Sequence, residues 1–84
     1  MKNKYLISQN LEEAKEQIEE ILNNLVLNSE YSEEEFKVCL EHAYHHLNFA
    51  WNIRNVDEPR AEACSEDDFK EWSKYPKNEI FEYE

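Results

Sequence analysis

Eighty-four residues make one small domain (residues 1–84) with room for a single modest core, and an apolar fraction of 40% is enough to fold it. Nine basic against twenty acidic residues leave a net charge of −11, spread evenly over both halves of the chain, so no basic stripe is available to neutralise phosphates. That disfavours nucleic acid and anionic membranes as partners, and points to a basic protein wherever charge steers an encounter.

The chain contains no glycine. Phosphate-cradling loops, dinucleotide folds and glycine-dependent calcium loops are thereby excluded, and tight hairpin turns lose their favoured residue. No apolar run is long enough to cross a membrane, and no signal-peptide core follows Lys2 and Lys4. The cytoplasm is the expected compartment, with Cys39 and Cys64 as thiols.

Taken in chain order, Lys4–Ser8 is a short apolar patch that suits an extended segment. Asn10 then reads as an N-cap, with Glu13 at the capping-box position. Leu11, Ala14, Ile18, Ile21 and Leu25 recur at alternating spacings of three and four, which predicts a helix over about residues 11–27 with a narrow, heptad-like stripe. Leu22 and Val26 widen the stripe, and the glutamates from Glu12 to Glu20 fall on the solvated side. Asn28 is expected to end the helix in a left-handed conformation, in place of glycine.

Ser32 and Glu35 form a second capping box, flanked by Tyr31 and Phe36 at the positions of a hydrophobic staple. No breaker intervenes before Pro59, so a second helix is predicted over about 33–54. The short connector makes the two helices an antiparallel hairpin. Residues 56–63 read as a linker. Ser65 and Asp68 then open a third helix over about 66–75, lined by Phe69, Trp72 and Tyr75, with Phe69 set to staple onto Cys64 and Pro76 marking the end. Residues 79–83 partly alternate and suit an extended segment, with residues 5–7 as the candidate pairing partner. The expected fold is therefore all-α: a helical hairpin with a short third helix across it and short extended termini.

The second helix is apolar around most of its circumference. Phe36, Leu40, Ala43, Leu47, Ala50 and Trp51 form one arc, continued by Cys39, His42, His46, Phe49 and Ile53. A polar strip remains at Lys37, Glu41, His45, Asn48, Asn52 and Asn55. The narrow stripe of the first helix cannot cover such an arc. The third helix, the termini or a second copy of the chain must take the surplus, and the last of these gives a dimeric bundle.

Cys39, His42 and His46 carry the sharpest chemistry. Residues three and four apart project to one side of a helix, so a thiolate and two imidazoles there can share a zinc ion. Cys64 or Glu35 is available to complete the set. The alternative is packing, since free cysteine is commonly buried as a small hydrophobe and the histidines border the apolar arc. His45 falls on the polar strip near Glu41, which would raise its proton affinity modestly.

Trp51 and Arg54 close the second helix, with Phe49 and Ile53 beside them as further candidate interface residues. An arginine there is expected to lay its stem on apolar surface and bind the last carbonyls of the helix. Nothing suggests nucleophilic catalysis: Ser32 and Ser65 are explained as caps, and the acidic pairs fall on solvated faces. Three functions follow as expectations. The first is a non-enzymatic interaction protein that self-associates without a cofactor. The second is a zinc-binding module, and the third an acidic inhibitor of the antitoxin or immunity-protein kind that sequesters a basic partner.

Overall fold

A computed structural model describes residues 1–73, in which helices α1 (Lys4–Leu27), α2 (Glu33–Asn52), α3 (Glu58–Ala63) and α4 (Glu66–Trp72) follow one another with no strand among the described residues. Helices α1 and α2 pack along each other as the hairpin, and α4 docks on α2. Ala14 and Ile21 of α1 are buried in the hairpin seam together with Ala43 and Ala50 of α2. The all-α hairpin with a short helix across it is as the sequence predicts.

Helix α1 starts seven residues earlier than the predicted residue 11, at Lys4. The Asn10 cap and the extended segment over residues 4–8 are therefore both corrected. The apolar repeat simply continues upstream, with Ile7 one turn before Leu11. What starts the helix is Asn3, in the left-handed region at φ 59°, ψ 34°, a conformation that asparagine tolerates better than most residues. Its side-chain amide donates to the carbonyls of Ile53 and Val56, both at 2.7 Å. The Lys2 N–H donates to the Arg54 carbonyl at 2.6 Å. The N-terminus thus satisfies carbonyls left open where α2 ends. Pairing of residues 5–7 as a strand is ruled out by their helical state, and α4 ends at Trp72 with Ser73 as its cap, three residues before the predicted end at 75; residues 75–76 and 79–83 lie outside the described residues.

Asn28 does end α1, but in an extended conformation rather than a left-handed one. Its side-chain oxygen accepts the Glu30 N–H at 3.0 Å, an Asx turn that reverses the chain without glycine. Ser32 caps α2 as predicted, its hydroxyl accepting the Glu35 N–H at 3.1 Å. The helix closes at Asn52 with Ile53 as its cap, two residues before the predicted end.

Residues 56–63, expected as a linker, contain α3. Pro59 sits in its first turn, where no N–H is needed and the fixed φ favours the helix. Cys64 ends α3 in the left-handed region at φ 40°, the position a glycine would normally take. Ser65 then caps α4 through the Asp68 N–H at 3.2 Å. The buried Asp68 carboxylate receives Arg60 at two oxygens, 2.7 and 3.3 Å away. This fork ties α3 to α4, and the Arg60 hydrogen bonds hold the Asp68 carboxyl below its ordinary value.

Candidate functional site

The hairpin has two unlike sides. Along α1, Asn10 and Glu13 fall to one side of the seam through Ala14 and Ile21, while Leu11, Ile18 and Leu22 fall to the other. Along α2, His42 and His46 match the first group, and Tyr44, Leu47 and Trp51 match the second.

On the first side the structure brings His42 and His46 together. Their Nε2 atoms are 3.0 Å apart. The Nδ1 of His46 lies 2.9 Å from Asn10 Oδ1, and its Nε2 lies 2.9 Å from Glu13 Oε2. The Asn10 amide nitrogen is committed to the Leu6 carbonyl at 2.9 Å, which leaves its oxygen to accept the His46 Nδ1 proton. His46 is buried, and burial is the main cause that lowers its proton affinity, opposed by the Glu13 charge and assisted by His45 and His42.

Cys39 and Cys64 take other positions. Cys39 lies one turn before His42 and lines a groove with Tyr31, Glu20, Asn24, Glu34, Glu35 and Val38. The Tyr31 hydroxyl is buried there, and burial, then its contact with the Cys39 sulfur, push its ionisation up to about 12. Cys64 is half-buried at the α3–α4 junction, where burial pushes the thiol up. Among the described residues no three His, Cys, Asp or Glu side chains stand ready in metal-binding geometry.

The polar strip of α2 is not solvated as its composition suggests. It is where α4 docks. Asn48 and Asn52 donate to the carbonyls of Ser73 and Trp72 at 3.3 and 2.8 Å, closing the end of α4. His45 packs its ring 5.1 Å from Phe69 and 4.9 Å from His46. Its proton affinity is lowered, first by burial and then by His42, opposite to the rise expected from Glu41. Glu41 instead meets Lys37 at 3.7 Å.

On the second side the hairpin is open. Leu11, Ile18, Leu22, Leu25, Leu47 and Trp51 are all exposed, between 41% and 59%. Met1, Ile7, Leu11, Leu47, Ala50, Trp51 and Arg54 surround a shallow apolar depression at one end of this face, with a volume near 270 Å³. The Arg54 guanidinium lies 3.6 Å over the Trp51 ring and donates to the Trp51 carbonyl at 2.7 Å. Of the other candidate interface residues, Ile53 is fully enclosed and Phe49 meets Trp72 edge-on at 5.5 Å, so both serve the chain's own core.

Asn10 and Glu13, which in the sequence read as a capping pair, and Asn3, which carries no signal there, are the participants that the sequence does not place. Extending the apolar repeat back to Ile7 would have put Asn10 and Glu13 three apart on one helix side, facing the histidines. No helix among the described residues is long and apolar enough to cross a membrane. No protein-family model matches the chain, and no curated protein or solved structure is detectably similar to it.

Proposed function

We propose that this chain is a small non-enzymatic interaction protein that associates with a second copy of itself through the open face of its hairpin. The observation that carries the reading is the continuous row of half-exposed apolar side chains contributed by both helices. In a two-helix layer only one edge of a heptad stripe is covered by the neighbour. Stacking a second hairpin on the open face completes a four-helix bundle and buries Ile18, Leu22 and Leu47. The acidic charge is compatible with this arrangement. Lys15 and Lys37 sit one turn from Leu11 and Leu40 at the rim of the open face, while most of the glutamates point elsewhere.

Sedimentation equilibrium tests the reading. The expected result is a dimer at micromolar concentration that Leu22→Glu converts to a monomer of unchanged helix content. A strict monomer at high micromolar concentration overturns it.

A second reading, sequestration of a basic partner, is favoured by the groove between the far ends of α1 and α2, whose walls carry Glu20, Glu34 and Glu35. Salt separates the two. Two chains of −11 repel, so self-association strengthens as salt rises, whereas binding to a basic partner weakens.

A further inference from the structure

We propose that the second copy lies on the open face in the opposite sense, with Arg54 of each chain paired to Glu33 of the other. The inference rests on the self-association reading and adds the orientation of the pair.

Two lines of residues seven apart run the length of the open face. On α1 the line is Lys4, Leu11, Ile18 and Leu25, and on α2 it is Glu33, Leu40, Leu47 and Arg54. Seven residues are close to two helical turns, so each line keeps to one side of its helix. Leu11, Ile18, Leu25 and Leu47 are exposed, and Leu40 is half-buried. Leu11 and Leu47 line the apolar depression together with Arg54, so both lines share this face.

Charge stands only at the ends of these lines. Lys4 and Arg54 are at the end where Asn3 binds the Ile53 carbonyl, and Glu33 is at the end with the turn. The wider sequence follows the same polarity: residues 16–36 contain seven glutamates and no basic residue. Among the described residues no carboxylate pairs with Lys4 or Arg54, and no cation pairs with Glu33. Arg54 gives one donor to the Trp51 carbonyl at 2.7 Å, which leaves the rest of the guanidinium fork for a carboxylate.

Two hairpins can stack face to face with two-fold symmetry in two senses. In the same sense, turn over turn, α1 of each copy lies on α2 of the other. Lys4 then stands over Arg54 of the second copy, twice, and the two glutamate-rich turns meet. In the opposite sense α2 lies on α2, and each turn covers the other copy's far end. Arg54 then stands over Glu33 of the second copy, twice. The apolar contact is of the same kind in both senses, so charge decides between them. Like charges oppose the first sense and unlike charges favour the second, as flanking charges do in helical bundles.

Pulsed electron paramagnetic resonance on the full chain tests the orientation. Ser29→Cys, combined with Cys39→Ser and Cys64→Ser, carries one nitroxide in the exposed turn. The expected separation of the two labels is on the order of 35 Å, the length of a helix of this size. A separation of about 20 Å or less, two helix diameters, places turn over turn. That result overturns the orientation and leaves self-association standing.

Charge reversal, read by sedimentation equilibrium, is the second arm. Arg54→Glu and Glu33→Arg should each weaken the dimer at least about fivefold, and the double variant should return to within about twofold of the parent. Circular dichroism checks that each variant keeps its helix content. A double variant no tighter than either single one overturns the pairing. A strict monomer for the parent chain removes the self-association reading itself, and the orientation with it.

Discussion

The side-chain amide of Asn3 reaches across fifty residues of sequence to the Ile53 carbonyl, 2.7 Å away, and so joins the first turn of α1 to the end of α2. A second bond from the same amide to the Val56 carbonyl, also 2.7 Å, makes this one side chain the clasp at the end of the hairpin opposite its turn. Asn3→Ala removes both bonds and leaves a left-handed residue with no local compensation. It should lower stability by about 2 kcal/mol, and the melting temperature by roughly 10 °C. Asn3→Gly keeps the backbone conformation and loses only the bonds, so its cost should be smaller. Equal costs for the two variants would show that the backbone geometry carries no strain.

The histidine cluster gives stability a pH dependence of definite sign. His45 and His46 both titrate below their ordinary value of 6.5 in the folded chain, with burial as the leading cause in each. The folded state therefore prefers neutral rings. Their contribution is complete above about pH 6.5 and is lost as the pH falls through the lower folded values. Asp68, held low by Arg60, acts in a separate window: its contribution stands above 3.8 and fades in stronger acid. Thermal melts of chelator-treated protein from pH 8 to pH 5 should show a falling melting temperature. A His45→Gln, His46→Gln double variant should flatten the curve. A melting temperature that rises toward pH 5 contradicts the assignment.

How much of this was legible in the sequence depends on whether a residue's role is local. Ser32 and Ser65 cap helices through bonds to residues three positions on, and both were readable. The hairpin was readable too, because stripe and connector are local patterns. Asn10 was not: its partner His46 is thirty-six residues away, and a polar residue before an apolar run looks like a cap whatever it touches in space. Asn48 and Asn52 misled for the same reason. They form a polar strip in projection, yet they close the end of α4. Pro59 reads as a breaker in the sequence because its place within the first turn of α3 depends on where that helix starts.

Cys64 offers a direct test of backbone strain. At φ 40° and ψ 73° it occupies a left-handed cap in a chain that has no glycine to spend there. Any side chain with a Cβ is disfavoured in that region by about 1–2 kcal/mol. Cys64→Gly should therefore stabilise the chain by about 1 kcal/mol, part of the relief being offset by the freer unfolded state. Cys64→Ala separates the causes, since it deletes the thiol and keeps the Cβ. If alanine stabilises as much as glycine, the thiol's half-buried position rather than the backbone is at fault.

Ile53 and Trp51 stand two residues apart at the end of α2 and should respond in opposite ways. Ile53 has no exposed surface, so Ile53→Ala opens a cavity that neighbouring side chains can fill only in part. Urea unfolding should register a loss of about 3 kcal/mol. Trp51 is 47% exposed and stacks chiefly on Arg54. Trp51→Ala should cost folding only about 1 kcal/mol, the worth of an exposed cation–π contact. The proposed dimer should suffer more, because Trp51 lies at one end of the open face and large aromatic side chains dominate association energies. Measured at one concentration in the monomer range, the two unfolding curves should differ in midpoint, with Trp51→Ala nearer the parent. Measured by sedimentation, the order should reverse: Trp51→Ala dissociates the pair while Ile53→Ala, where still folded, retains it. A Trp51→Ala chain that unfolds as readily as Ile53→Ala would place the indole in the chain's own core and remove it from the interface.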